Sequence, residues 1–445
     1  MKPRALLINP PIYDFALYDL FLKPYGLLRI SRWLKESGWD AKVLNCLDYT
    51  DRESEKLLGK VQRRTNGTGK FFRQRIDYPE GIQNIPRSFS RYGITRDSFR
   101  QKLKDQQPDI IFISTGMTYW YKGVQEAINL CREAFPGTPI IAGGVYASLM
   151  PEHMRSIMAP DLIIPGDDLS SLCTFLKKMG LPVPEQPFPE YPEEGWNGWK
   201  DAGVIQLNTG CPYSCQYCAS NILCPQFVSG SPEKGFAYFQ KIHEKFRTKN
   251  WAFYDDALLI NKEKVFLPFI ENLIEANIDA NFYLPNAIHL RFLDEPTIKL
   301  MLRAGFQELR IGYESAEDGF HQQYDAKLEA EMLPEKVEDM KNAGFRVQNA
   351  AVYVIAGLPG QRAEEVETTI RAAAATGVRV RIAQYSPVPG TPLWEESCSF
   401  SQYPLKNEPL YHNNTFFATE WEGFTRADLE KLKQLTLRLY ENKSM

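Results

Sequence analysis

Between residue 3 and about 185 the chain alternates short, continuous apolar runs with amphipathic stretches. Five runs read as strands: 4–9 (RALLIN), 42–47 (KVLNCL), 109–114 (DIIFIS), 139–144 (PIIAGG) and 161–165 (DLIIP). Continuous rather than alternating apolarity predicts strands covered on both faces, as in a parallel sheet. Between the first two runs, Leu27, Leu28, Ile30, Ser31 and Leu34 recur at near-helical spacing and Gly38 supplies a stop. Val124, Ala127, Ile128, Cys131 and Phe135 form a second stripe, and Leu169, Leu172, Cys173 and Leu176 a third. The pattern predicts an α/β, doubly wound, Rossmann-like domain over 1–185. One crossover departs from it: residues 51–97 carry eleven Lys or Arg, interleaved with Phe71, Phe72, Tyr78, Phe89 and Tyr92. Two readings stand, a solvated cover over one sheet edge or a basic lid that contacts an anionic cofactor or substrate.

A proline-rich stretch at 181–198 marks a linker, placed at 186–200, after which strand and helix patterns resume. Strands are expected at 203–208, 251–256, 281–286, 308–313, 346–357 and 380–386, with helices at 262–276, 295–304, 334–343 and 363–376. Six βα units predict a partial (β/α)6 barrel over 201–398, whose chemistry would sit at the carboxyl ends of the strands. A short helical extension, 399–445, holds an amphipathic helix at 425–441. Just before that helix lies the cluster Tyr411, His412, Asn413 and Asn414, a candidate pocket lining.

Composition narrows the classes. At 445 residues, two or three packed units are expected, and 44% hydrophobic with 24% charged residues excludes a disordered chain. A formal charge of −3 gives no global attraction for nucleic acid. No apolar run reaches the roughly 18 residues of a membrane span, and the N-terminus lacks a signal peptide's long apolar core. These features lead to the expectation of a cytoplasmic protein. Eight cysteines are too few for a disulfide scaffold, and three of them fall within eight positions. That clustering reads as metal ligation in a reducing compartment.

Those three are Cys211, Cys215 and Cys218, in LNTGCPYSCQYCAS directly after the first strand of the second domain. Three thiolates from one loop suit an iron–sulfur cluster with one iron lacking a protein ligand. Structural zinc would normally take four ligands, and no second CxxC or HxxxH follows; dithiol redox chemistry has no need of a third cysteine. The spacing CxxxCxxC, with the aromatic Tyr217 before the last cysteine, resembles the radical S-adenosylmethionine (radical SAM) superfamily. YDD at 254–256, GYES at 312–315, AGLPG at 356–360 and SPVPGTPLW at 386–394 resemble its cobalamin-binding-domain-containing branch. The resemblance implies that Cys211, Cys215 and Cys218 hold a 4Fe-4S cluster. The open iron would chelate S-adenosylmethionine (SAM), and reduction would cleave it to methionine and a 5′-deoxyadenosyl radical. It also implies SAM contacts at Tyr217, Glu314, Gly357, Leu358, Gln384 and Ser386. Asp255, with Asp256, is either a SAM-site residue or a local strand-end turn or helix cap.

The first domain resembles the cobalamin-binding fold of the same branch through NPP at 9–11, YGLLRIS at 25–31, PDIIFIS at 108–114, AGGVYAS at 142–148 and PGDD at 165–168. The implied cobalamin contacts are Pro10, Pro11, Thr115, Gly116, Met117, Thr118, Gly143, Gly144, Val145, Tyr146 and Gly166. The DxHxxG histidine signature is absent; His153 is the histidine of this stretch, and the usual acidic turn reads Gly166, Asp167, Asp168. The domain is therefore either a cobalamin site or a vestige of one. Tyr119, Trp120 and Tyr121 are candidates for an apolar wall at the domain junction or for ordinary packing. A methylthiotransferase would need three further N-terminal ligand cysteines, whereas Cys131 and Cys173 fall on apolar helix stripes. The function implied is a cobalamin-dependent methyltransferase acting on an unactivated carbon of a small-molecule or peptide substrate, with anionic groups suggested by the basic insertion. Reduced flavodoxin or ferredoxin would supply electrons. The alternatives are a cobalamin-free radical SAM oxidoreductase or rearrangement enzyme, and an iron–sulfur electron-transfer or binding protein.

Overall fold

The computed structural model describes residues 2–82, 85, 87–166, 168–329 and 331–441; Asp167 of the acidic turn lies outside them. The chain forms two compact units, one of Met1–Trp196 with Asn407–Thr415, the other of Asn197–Lys406 with Phe416–Met445. A nine-residue segment far along the sequence thus belongs with the first unit.

The first unit contains β1 (Arg4–Asn9), β2 (Ile12–Asp14), β3 (Asp40–Asn45), β4 (Arg73–Arg75), β5 (Ser90–Tyr92), β6 (Ile110–Thr115), β7 (Ile140–Gly144) and β8 (Leu162–Ile164). Five of them make a parallel sheet in the order β3-β1-β6-β7-β8. The expected five strands are these, β1 at the expected bounds and the others with ends shifted by no more than two residues. Leu7 and Ile8 on β1, an interior strand, are fully buried, which is why their run shows no polar alternation. The helix Tyr25–Glu36 lays Leu27, Trp33 and Leu34 on Ala5, Leu7, Ile110 and Phe112. Burying each such large apolar side chain is worth about 1.5–3 kcal/mol. Cys131 is completely buried, and Cys173 packs against the same core, as their helix stripes predict.

The basic stretch is folded rather than a long structureless loop. The helix Arg52–Leu58 is capped by Asp51, which accepts from the Ser54 amide, and β4 and β5 join β2 in a three-stranded antiparallel sheet. Two of its cations are paired within the unit. Arg91, 2% exposed, pairs with Glu126 at 2.5 Å, and Arg63 pairs with Asp19 at 2.7 Å. Three-residue strands such as IYD, RQR and SRY offer no periodicity from which a sheet is readable.

The second unit contains β9 (Gly203–Ile205), β10 (Asn208–Thr209), β11 (Val228–Ser229), β12 (Asn250–Phe253), β13 (Asn281–Tyr283), β14 (Ile288–His289), β15 (Leu309–Glu314), β16 (Ala350–Ala356) and β17 (Arg379–Gln384). Parallel pairing gives two arcs, β13-β12-β9 and β14-β15-β16-β17. All six expected strands are present; β14 and the antiparallel pair β10-β11 are additions. Helices Pro232–Phe246, Phe266–Glu275, Glu295–Ala304, Met332–Asn342 and Ala363–Ala375 fill the crossovers. Phe253, Phe282 and Phe306 form the aromatic centre, with ring centroids 5.4–5.8 Å apart. Within each arc the strands point their carboxyl ends one way, and the cysteine loop begins beyond β9. Among the described residues no helix is long and apolar enough to cross a membrane.

Candidate active site

The cysteine loop is anchored before its first ligand. Asp255, just beyond β12, is 2% exposed and accepts from the amides of Leu207 (3.0 Å) and Asn208 (2.6 Å). Its oxygens are thereby committed to backbone 47 and 48 residues away, a long-range anchor rather than a turn or cap of its own segment. Burial drives its carboxyl up to about 7 against those hydrogen bonds. Because the folded-state value exceeds the unfolded one, the protonated group's stabilisation is complete below about pH 4 and is lost as pH rises through about 7. Denaturant unfolding of Asp255→Asn at pH 5 and pH 8 should show the variant gaining on wild type at the higher pH, by an amount on the order of 2–4 kcal/mol. An unchanged gap at the two pH values would contradict this account of the loop's anchor.

Cys211 and Cys215 are buried and Cys218 is exposed. Burial pushes the Cys215 thiol up to about 12 and raises that of Cys211, while Lys327 pulls both down. The Ser220 amide points at the Cys218 sulfur at 3.5 Å, and the Ser220 hydroxyl lies 3.2 Å from it. Among the described residues no three His, Cys, Asp or Glu side chains converge as a single metal ion requires. A four-iron cluster does not ask for that convergence, because each thiolate takes its own iron. Soft sulfur donors, a nearby cation and hydrogen bonds to sulfur fit such a cluster.

A second segment, which no sequence motif marks, also holds the loop. The Gln216 amide donates to Tyr324 O at 2.8 Å, and the Tyr217 hydroxyl donates to Asp325 at 2.8 Å across 108 residues of sequence. Asp325 also meets His321 at 2.9 Å, and His321 Nε2 lies 3.0 Å from Ser315 O. Burial opposes both charges, yet their pairing raises the His321 imidazole and lowers the Asp325 carboxyl. Lys327 Nζ stands 5.5 Å from the Tyr217 ring centroid. Desolvation works against its charge, but Glu314, Cys215, Asp325 and Cys218 more than offset it and raise its pKa. Lys327 is thus a cation held among the thiols and the Glu314 carboxylate.

Glu314 ends β15 with φ +67, a left-handed conformation uncommon for a residue with a side chain, beside a register shift against β16. Burial raises its carboxyl, countered by Lys327. In the AGLPG turn, Gly357 has φ +96, and a Cβ there would lie 2.6 Å from the Phe417 ring. Its amide and that of Leu358 donate to Gln361 Oε1 at 2.7 and 3.2 Å. The turn therefore offers a ligand its shape rather than these amides. Gln384 Nε2 donates to Phe416 O at 3.4 Å, and its Oε1 lies 3.5 Å from Lys433 Nζ. Ser386 lies two residues past β17 and is partly buried.

In the first unit, successive crossovers leave β1 toward β3 on one side and β6 on the other. Open sheets bind ligands past the strand ends at such a reversal. Pro10, Pro11 and the Thr115–Thr118 stretch flank that crevice. Thr115 Oγ1 accepts from the Ala147 amide at 3.1 Å, and Thr118 Oγ1 lies 2.8 Å from His412 Nδ1. Tyr146, fully buried, bonds His153 Nδ1 at 2.6 Å, so that nitrogen is occupied. Gly144 has φ +113, and a Cβ on it would strike Thr115 O at 2.4 Å; here glycine closes the sheet. Gly143 and Val145, on either side, are partly buried, as is Gly116, while Met117, Gly144 and Gly166 are exposed at the ends of β6, β7 and β8. Beside this face lies a cavity of about 260 Å³ lined by Asp14, Tyr18, Arg87, Tyr119, Trp120 and Asn413. Asp14 accepts from Trp120 Nε1 at 2.6 Å and Asn413 Nδ2 at 2.9 Å. The returning segment, legible only as a polar cluster, thereby completes the cavity.

Comparison with known proteins agrees with the geometry. The radical SAM superfamily profile matches residues 205–373. The chain is 23% identical over 381 residues to the "Uncharacterized methyltransferase PH0819" of Pyrococcus horikoshii, covering 77% of this chain and 78% of that protein. It is 20% identical over 349 residues to the anaerobic magnesium-protoporphyrin IX monomethyl ester cyclase of Rubrivivax gelatinosus, of which it spans 61%. Among solved structures, the radical SAM methyltransferase TsrM of Kitasatospora setae superposes with TM-score 0.67 at 13% identity, over 97% of this chain and 89% of that one. The cobalamin-dependent SAM radical enzyme OxsB superposes with TM-score 0.58 at 14% identity, over 99% of this chain and 62% of that one. These two likenesses establish the α/β fold. Together with the three-cysteine loop at the end of β9, the profile match makes residues 205–373 a radical SAM domain.

Proposed function

We propose that this chain is a cobalamin-dependent radical SAM methyltransferase that acts on an unactivated carbon of a small-molecule or peptide substrate. The observation that carries the reading is the CxxxCxxC loop, Cys211, Cys215 and Cys218, with a cation, Lys327, beside it. When bound, a 4Fe-4S cluster supplies the electron that cleaves SAM, and cobalamin supplies a carrier for the methyl group. Cys211, Cys215 and Cys218 hold the cluster. Tyr217 and Asp325 fix the loop's shape, and Lys327 presents a positive charge suited to a carboxylate such as that of SAM. Glu314 faces the same ligand as an acceptor. Gly357 and Leu358 shape the turn against the nucleoside, and Gln384 and Ser386 lie at the end of β17 for its ribose.

Cobalamin would lie against the carboxyl ends of β1, β6, β7 and β8, where Met117, Gly144 and Gly166 leave an open face. The crevice at the β1–β6 reversal supports this placement, as does TsrM, solved with cobalamin and a [4Fe-4S] cluster bound; the methyltransferase name of PH0819 supports the methyl-transfer reading. His153 is engaged by Tyr146, so the reading does not use it as a cobalt ligand. Reduced flavodoxin or ferredoxin is the electron-donor class this chemistry takes. Incubation with hydroxocobalamin followed by desalting should leave about one equivalent of corrinoid absorbance on the protein, and label from methyl-labelled SAM should enter the corrinoid. Full SAM cleavage with no retained corrinoid would replace this reading with the cobalamin-free one.

A further inference from the structure

His289, the last residue of β14, carries a ring nitrogen, Nδ1, that is buried and has no hydrogen-bond partner. Buried polar atoms left unmet are few in native folds and call for a partner or a role. The location is informative. Parallel pairing sets His289 opposite Gly312, two residues before Glu314. Its ring meets Tyr213, inside the first interval of the cysteine loop, edge-on with centroids 5.1 Å apart, and Phe292 flanks it at 6.3 Å. Lys327 and Asp325 both lie within charge range. Burial, reinforced by Lys327 and opposed by Asp325, lowers the imidazole to about 4, so the ring is neutral near pH 7. A neutral imidazole offers Nδ1 either as an N–H or as a lone pair, according to its tautomer.

Tyr213, Asp325 and Lys327 around this ring belong to the machinery around the three thiols, and among the described residues no group bonds Nδ1. We infer that His289 Nδ1 makes a hydrogen bond to a polar group of the SAM molecule held beside the cysteine loop. The inference rests on the radical SAM reading and adds a binding residue to it. A substrate contact would be the competing use of the same atom, and affinity measurements without substrate separate the two.

The test is anaerobic equilibrium dialysis of SAM against the cluster-loaded full chain, with electron paramagnetic resonance of the reduced cluster as a second readout. His289→Phe should weaken SAM binding about ten- to a hundredfold and diminish the SAM-induced spectral change, with iron and sulfide content unaltered. His289→Gln, which restores a hydrogen-bonding group, should recover most of the affinity. If the Phe variant fails to take up iron, His289→Leu against His289→Gln provides the same comparison. Wild-type affinity and spectrum in the variants lacking a hydrogen-bonding group would overturn the inference while leaving the radical SAM reading intact. Absence of SAM binding by cluster-loaded wild type would instead overturn that reading, and this inference with it.

Discussion

Replacement of Cys215 by Ala should reduce SAM cleavage to the level of cluster-free protein. Cys215 is buried, and its thiol is pushed up to about 12 by desolvation despite Lys327 nearby. Coordination takes this thiol as a thiolate and releases its proton. With one of three ligands gone, two thiolates remain for a cluster that needs three, and the alanine leaves a small apolar gap in place of the sulfur. The expected signature is loss of the cluster's visible absorbance together with 5′-deoxyadenosine, while the far-ultraviolet dichroism stays that of a folded α/β protein. Retention of full cleavage by Cys215→Ala would remove the cysteine loop from the chemistry.

Lys327→Met has the second-largest expected effect, and it falls on binding. The ammonium is held among Glu314, Asp325, Cys215 and Cys218, with Tyr217 beneath it. Methionine keeps much of the stem's volume and removes the charge. A hydrogen bond to a charged group is worth about 1.5–3 kcal/mol, so SAM affinity should fall about ten- to a hundredfold. Arg at 327 should restore part of it, since the guanidinium keeps the charge but not the ammonium's compact shape. Isothermal titration of SAM into cluster-loaded protein reads this directly. Unchanged affinity in Lys327→Met would confine Lys327 to balancing Glu314.

The parallel framework of both units was legible because fully buried strands leave continuous apolar runs, as at 4–9 and 350–356. The cysteine loop was legible because its ligands are adjacent in sequence. What escaped notice is what folding alone brings together. Asp325, His321 and Lys327 look like ordinary polar residues on and after a short helix, and long-range contacts such as the Tyr217–Asp325 bond across 108 residues tie them to the loop. The sole local signal was GYES, whose Glu314 begins the segment that leads to them. His289 was equally silent, since β14 is two residues long and carries no pattern. In the first unit the insertion's fold was unreadable for the same reason, and the capture of Asn407–Thr415 depends on contacts made by His412 and Asn413 that no periodicity encodes.

The central claim is that three thiolates hold a four-iron cluster and leave one iron for SAM. Mössbauer spectroscopy of protein reconstituted with ⁵⁷Fe, recorded with and without SAM, tests it most directly. The account predicts that one iron site in four changes its isomer shift and quadrupole splitting when SAM is added, while the other three stay as they were. Four irons unmoved by saturating SAM, or a metal centre free of iron and sulfide, would contradict it.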